Sequence, residues 1–255
     1  MGRFNDGVSF KESVLDDVVR VESLVKSYSS AVGAVPVLRG LTLGFPRHRL
    51  TAVMGPSGSG KSTLLHCAAG LDRPTSGRVT LGGTDLGTAS RRTLSRIHRR
   101  RIGFVFQSFN LLPMLTAAEN IALPLRLAGQ RPRHEHIAGL LDQIGLAGLA
   151  GRRPAGLSGG QQQRVAIARA LAVKPDVVFA DEPTGALDGV SSRQVLDLLR
   201  AAVDRYAQSV VMVTHDPVAA SRADSVIFLV DGQVRDTLDH PTVEDVSARV
   251  GRWDR

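Results

Sequence analysis

The sequence predicts an α/β fold, a largely parallel sheet covered by helices on both faces, with a nucleotide site along its strand ends. Three observations carry that expectation. Short runs of Val, Ile and Leu at 50–54, 177–180 and 210–213 alternate with longer helical patterns, as strands buried on both faces do. The run Leu50-Thr51-Ala52-Val53-Met54 enters a glycine-rich loop and then a helical pattern, the strand–loop–helix order that a phosphate loop requires. A second cluster, Leu157-Ser158-Gly159-Gly160-Gln161, opens another helical run further along the chain. Two cradles in one chain leave open whether they serve one nucleotide or two.

In chain order, 1–15 reads as a loose arm and 18–25 as an extended, pair-forming run, followed by 41–45 and 50–54. A helix is expected over 62–69, and strands at 79–81 and 102–106 bracket an arginine-rich helix. From 116 to about 147 the pattern turns helical, interrupted by Gly129, Pro132 and Gly145, and reads as a lobe inserted over about 108–165. Helices at 162–172 and 191–206 then alternate with the strands at 177–180 and 210–213. The runs 226–230 and 234–237, joined across Asp231-Gly232, read as a hairpin. One domain is expected over 16–240, with 241–255 as a tail.

The 255 residues are 43% hydrophobic and 4% aromatic, enough for a full core built mainly from aliphatic side chains. No apolar run reaches the length of a membrane span, and the first residues lack an apolar signal core, so a soluble, cytoplasmic chain is expected. The single cysteine, Cys67, excludes an intrachain disulfide and a cysteine-rich metal site. The net charge of +8 is partly concentrated in Arg91, Arg92, Arg96, Arg99, Arg100 and Arg101. A solvated helix face and an anionic partner both suit this cluster. No aromatic residues interleave with it, which weighs against single-stranded nucleic acid, and no nucleic-acid partner is expected.

The loop Gly55-Pro56-Ser57-Gly58-Ser59-Gly60-Lys61-Ser62-Thr63 fits Gly-x4-Gly-Lys-Ser. Backbone N–H groups of such a loop wrap the β-phosphate, Lys61 neutralises β/γ oxygens, and Ser62 is expected to ligate Mg²⁺. Asp181 and Glu182 end a buried strand at the sheet edge where ligands bind in open α/β folds. Because side chains alternate along a strand, the two should point to different sides. Asp181 would then hold Mg²⁺ while Glu182 faces the attacking water as general base. In the second cradle Ser158, Gly159, Gly160 and Gln161 combine a hydroxyl, close backbone approach and a helix N-terminus. Three single residues join the list: Gln107 at a strand end, within reach of Mg²⁺ or the water; His215 at the same sheet edge as Asp181; and Tyr28, before a Ser-Ser turn, as a base-stacking ring. Each of these three also has a plain structural reading.

Taken together and in order, these segments resemble the nucleotide-binding subunit of an ATP-binding cassette (ABC) transporter, over roughly residues 18–235. The resemblance implies the ABC ATPase fold: a phosphate-loop core with a mixed sheet, an N-terminal antiparallel β subdomain and an inserted helical lobe. It implies that 55–63 is the Walker A loop, 177–181 the Walker B strand, Glu182 the catalytic glutamate, Gln107 the Q-loop glutamine and His215 the switch histidine. Ala186-Leu187-Asp188 is similar to the D-loop, Tyr28 to the adenine-stacking aromatic, and 157–161 to the family signature. The stretches 106–113, 116–120 and 161–164 are similar to the branch containing the LolD, MacB and FtsE types. ATP and Mg²⁺ are the implied cofactors. The implied partners are a second copy of the subunit, whose signature covers this chain's nucleotide, and a separate membrane permease of the FtsX/MacB kind. The chain would then sit on the inner face of the cell membrane, with Phe109, Leu111, Leu112 and Met114 offered to the permease or retained as lobe core. An ATP-dependent regulatory dimer of the FtsE kind is the alternative. An ABC ATPase acting on DNA or ribosomes lacks its usual coiled-coil insertion or duplicated cassette here. Arg47-His48-Arg49 replaces the family's usual Gly-Glu turn, and Gly185-Ala186-Leu187-Asp188 departs from the commoner D-loop.

Overall fold

The computed structural model describes residues 16–30 and 33–253, so the arm expected over 1–15 lies outside the described residues. Strand β1 (Asp17–Ser30) pairs antiparallel with β2 (Gly33–Pro46) along nearly its whole length. The sequence marked only the apolar inner halves of this hairpin, at 18–25 and 41–45. The two serines after Tyr28, expected as a turn, instead continue β1 with it, Tyr28, Ser29 and Ser30 standing opposite Val35, Ala34 and Gly33. The tight turn that follows β2 puts His48 at φ 56, left-handed backbone that favours glycine. Its amide donates to Ser209 Oγ at 3.0 Å and its ring meets Ala207 O, which offset part of the strain.

Strand β3 (Leu50–Met54) is buried throughout and leads into helix α1 (Lys61–Ala68). Strands β4 (Ser76–Leu81) and β5 (Thr84–Asp85) return to the first sheet, whose order is β2-β1-β4-β5. Helix α2 (Arg91–Arg100) starts at Ser90, whose side chain accepts from Thr93 N, and β6 (Ile102–Phe106) follows. Helices α3 (Ala117–Leu127) and α4 (His134–Gln143) form most of the expected lobe. The remainder alternates: α5 (Gly159–Leu171), β7 (Val177–Asp181), α6 (Gly189–Tyr206), β8 (Ser209–Val213), α7 (Pro217–Ala220), β9 (Ser225–Val230), β10 (Gln233–Asp239) and α8 (Val243–Val250).

The second sheet has the order β10-β9-β3-β8-β7-β6, with β9, β3, β8, β7 and β6 parallel and β10 antiparallel at one edge. Alternation along its strands builds two cores. Leu50, Ala52 and Met54 pack with α5 and α6, whereas Val53 packs with α1 and the first sheet. A third core belongs to the lobe, where Ile121, Leu125, Ile137 and Leu141 meet Val165 and Ala168 of α5. Helix α5 therefore joins lobe to sheet, because Ile167 and Ala170 on its other side enter the sheet core. Residues 241–253, expected as a tail, include α8, with Val246 buried and Trp253 tilted against Phe228 at 5.2 Å. No helix among the described residues is long and apolar enough to cross a membrane.

Candidate nucleotide site

Strands β3, β8, β7 and β6 are neighbours, and each delivers one group of expected residues to the same edge. Asp181 is in register with Val213 on one side and Phe106 on the other, and Thr214 N donates to Val53 O at 3.2 Å. The loop from Gly55, His215, the Asp181–Glu182 pair and Gln107 thus leave the sheet along one line.

The loop is shaped by its glycines. A Cβ at Gly55 would lie 1.9 Å from Leu229 O, so only glycine lets the loop pack on β9. Gly60 sits at φ 100, left-handed backbone that turns the chain into α1. Lys61 Nζ folds back to donate to Gly55 O at 2.8 Å and Pro56 O at 2.9 Å. Burial lowers the pKa of Lys61, opposed by the nearby Glu182 and Asp181. Ser59 Oγ is buried with no hydrogen-bond partner among the described residues, a polar atom left inside the cradle.

Ser62 Oγ donates to Asp181 Oδ1 at 3.3 Å, so the two expected cation ligands already meet. Burial pushes the Asp181 carboxyl up from its ordinary value, opposed by His66, Ser62 and Lys61 and reinforced by Glu182. A half-buried carboxylate beside a hydroxyl oxygen suits a hard divalent cation completed by phosphate oxygens and water. The two acids meet different partners, Asp181 the Ser62 hydroxyl and Glu182 the His215 ring, although strand alternation is not what arranges them, since β7 ends at Asp181. Glu182 has left the strand with φ 46, its amide donating to Val213 O at 2.9 Å, and this left-handed residue re-aims the side chain. His215 Nδ1 lies 2.9 Å from Glu182 Oε1; a carboxylate can only accept, so Nδ1 carries the proton. Gln107 rests against Gly185, its amide nitrogen 2.9 Å from where a Cβ there would stand. None of the hydrogen bonds found among the described residues joins it to Asp181 or Ser62. Tyr28 is 41% exposed, and its hydroxyl donates to Asp72 Oδ2 at 2.6 Å.

The second cradle stands apart from this edge. Ser158 and Gln161 form a capping box, with Gln161 N donating to Ser158 Oγ at 3.3 Å and Ser158 N to Gln161 Oε1 at 2.9 Å. Gln161, expected among the phosphate contacts, spends its carbonyl on this cap. The amides of Gly159 and Gly160 find no partner among the described residues. No hydrogen bond among them joins 157–161 to 55–63 either.

Four structural contributors escaped the sequence reading. Gln163, fully buried, donates from Nε2 to Pro183 O at 2.6 Å and Phe106 O at 3.3 Å, linking the signature helix to the loops carrying Glu182 and Gln107. Arg169 holds Phe109 O at 2.9 Å and also Asn110 O, clamping two successive left-handed residues at φ 60 and 49. Buried Asn120 pins 112–116 through bonds to Leu112, Leu115 and Thr116. Asp72 is bonded to Tyr28 across 44 positions, which no local pattern signals. Of the four apolar residues offered for docking, Leu111 packs on the lobe core, whereas Leu112 is exposed and Met114 is 70% exposed. In the arginine cluster, Arg101 pairs with Asp176 at 2.6 Å and Arg100 caps α3 through Ala128 O, leaving Arg91, Arg92 and Arg96 on the exposed face.

A phosphate loop, paired acids at the adjacent strand end, and a helical lobe presenting a second N-terminal cradle define a nucleoside-triphosphatase cassette. The chain belongs to the ABC transporter family, whose model matches residues 38–185, and it is an ATP-binding cassette ATPase. It is 45% identical over 229 residues to the lipoprotein-releasing system ATP-binding protein LolD of Anaeromyxobacter dehalogenans, covering 88% of this chain and 95% of that protein. It is 44% identical over 223 residues to the macrolide export ATP-binding/permease protein MacB of Marinobacter nauticus; the match covers 86% of this chain but only 34% of that protein. Among solved structures, the ATP-binding cassette MJ0796, dimeric, post-hydrolysis and bound to ADP and Pi, is 37% identical with a TM-score of 0.80, covering 88% of this chain and 99% of that one.

Proposed function

We propose that two copies of this chain sandwich two ATP molecules and drive a separate membrane permease from its cytoplasmic side. The observation that carries the proposal is the split between the cradles. One loop has its lysine, cation ligands and acid beside it, whereas the other has unspent donors and no bond to the first. A second copy supplies the natural complement, since the γ-phosphate held by one chain can accept from Gly159, Gly160 and Ser158 of the other. Closure then depends on the nucleotide, because these contacts exist only when it bridges the two chains.

Within each site the amides of 55–63 and Lys61 hold the β- and γ-phosphates, while Tyr28 stacks the base. Ser62 and Asp181 would hold Mg²⁺, with Gln107 approaching as the lobe moves; when bound, the ion neutralises phosphate charge. Glu182 orients a water in line with the γ-phosphorus and takes its proton as the bond to the β–γ bridging oxygen breaks. His215, tied to Glu182, is placed to reach a γ-phosphate oxygen through Nε2. Loss of the γ-phosphate removes the bridge and the dimer opens.

The permease is taken up by the lobe side of the cassette. Leu112 and Met114 offer exposed apolar surface there, and a groove of about 320 Å³ between β6 and α3 is lined by Phe104, Phe106, Leu123 and Leu127. On this reading the chain sits peripherally on the inner face of the membrane. The name of the MacB relative joins ATP-binding and permease functions, and this chain matches a third of that protein.

The test is Glu182→Gln, which keeps shape and removes the base. Hydrolysis should fall by about 10² to 10⁴ while ATP binding persists and a nucleotide-dependent dimer accumulates. Normal turnover by this variant would sink the assignment.

A further inference from the structure

The surroundings of Tyr28 are built by two residues outside every motif described so far. Lys26 Nζ donates to Asp72 Oδ1 at 2.6 Å and to Arg73 O at 2.8 Å, and Tyr28 Oη donates to Asp72 Oδ2 at 2.6 Å. Each carboxylate oxygen therefore takes one partner. Lys26 and Tyr28 flank an irregularity in the β1 register, and Lys26 Nζ stands 4.8 Å from the centroid of the Tyr28 ring. With a cation against one face, only the other face of the ring is free to stack on a base.

Asp72 reaches this point through the end of α1. Gly70, at φ 67, closes the helix: Gly70 N donates to Cys67 O at 3.0 Å and Leu71 N to His66 O at 2.9 Å, the two bonds of a Schellman turn. Asp72 N also reaches His66 O, at 3.2 Å, and the chain is then aimed at β1. Burial raises the Asp72 carboxyl, but the bonds from Lys26 and Tyr28 more than offset it, and the group ends below the usual carboxylate range. It is therefore an anion that holds both partners. At the other end of the same helix lie Lys61 and Ser62, so α1 carries the phosphate contacts at its start and the anchor of the ring at its end.

We propose that Asp72 and Lys26 are positioning residues for the nucleotide base: they lock Tyr28 as a one-sided stacking platform at a distance from the phosphate loop that α1 fixes. The proposal rests on the reading of Tyr28 as the base-stacking residue. The energetic logic is pre-organisation. A tyrosine free to rotate must be ordered on binding, whereas one tied at its hydroxyl and flanked by a cation is already in place. Only ligands that carry a base gain from this.

The test compares Mg²⁺-dependent binding of ATP with that of inorganic tripolyphosphate, which has phosphates and no base, using the full-length chain. Tyr28→Ala should weaken ATP by about tenfold or more and leave tripolyphosphate unchanged. Asp72→Asn and Tyr28→Phe should each weaken ATP by about threefold to tenfold, again with tripolyphosphate unchanged, raising KM while preserving kcat. The double variant Tyr28→Phe/Asp72→Asn should be no worse than the poorer single, since both remove one tie. Tyr28→Phe keeps the ring and the Lys26–Asp72 pair, so it reports even if the Asp72 variant folds poorly. Equal losses of ATP and tripolyphosphate would make the cluster merely structural and overturn the proposal. A loss in Tyr28→Ala without one in Asp72→Asn and Tyr28→Phe overturns the positioning role but keeps the base reading. No loss in Tyr28→Ala removes the base reading and the proposal with it.

Discussion

The two phosphate cradles are both glycine-rich entries to helices, yet their glycines answer different demands. In the loop at 55–63 the backbone itself requires them: Gly60 is left-handed at φ 100 and Gly55 abuts Leu229 O. In the cradle at 157–161 the glycines belong to α5, none has positive φ, and what excludes a side chain is a neighbour, since a Cβ at Gly160 would stand 2.5 Å from Ser191 Oγ. The first cradle is a folded object in its own right, braced by Lys61 on Gly55 O and Pro56 O. The second is an ordinary capped helix start whose Gly159 and Gly160 amides have no partner among the described residues. Two glycine-rich helix entries under different structural demands can thus look alike in sequence.

Substitution by alanine separates the two. Gly60→Ala should have the larger effect, because the left-handed residue and the approach to Leu38 Cδ2 both resist a side chain. A stability loss of about 1–3 kcal/mol is expected, visible as a lower Tm, together with loss of ATP binding to the single chain. Gly160→Ala should have the smaller effect, about 1 kcal/mol, since the helix accepts alanine and only Ser191 must move. Calorimetry and nucleotide titration of the isolated chain should find its ATP binding intact while hydrolysis falls. If Gly160→Ala lost ATP binding as completely as Gly60→Ala, the contrast between the cradles would be false.

How much was legible follows the same divide. Periodicity exposed the parallel strands and the helix at α5, because Val, Ile and Leu runs such as Val177–Asp181 are buried on both faces. It missed the outer half of the β1–β2 hairpin, where Lys26, Ser27 and Ser29 are polar and pairing rather than burial makes the strand. Loop chemistry marked Lys61, Ser62 and Asp181 because few other arrangements put those residues after an apolar run. It did not show that Glu182 stands outside the strand at φ 46, since a left-handed glutamate has no sequence signature. Gln163, Arg169, Asn120 and Asp72 act on backbone or side chains distant in sequence, so only the folded chain reveals them. Leu157–Gln161 was recognisable as a cradle, but its lack of any tie to the first loop was not.

The central claim is that each cradle at 157–161 serves the nucleotide of another copy, and mixing two inactive variants tests it most directly. Lys61→Ala disables the first cradle and Ser158→Arg the second, so each variant alone should hydrolyse little ATP. In a mixed dimer one site collects both lesions and the other is wholly intact. Hydrolysis by the mixture should therefore rise well above that of either variant, to about a quarter of the wild-type rate if the copies pair at random and the sites act independently. A mixture that forms dimers with ATP yet stays as inactive as its components would contradict the account.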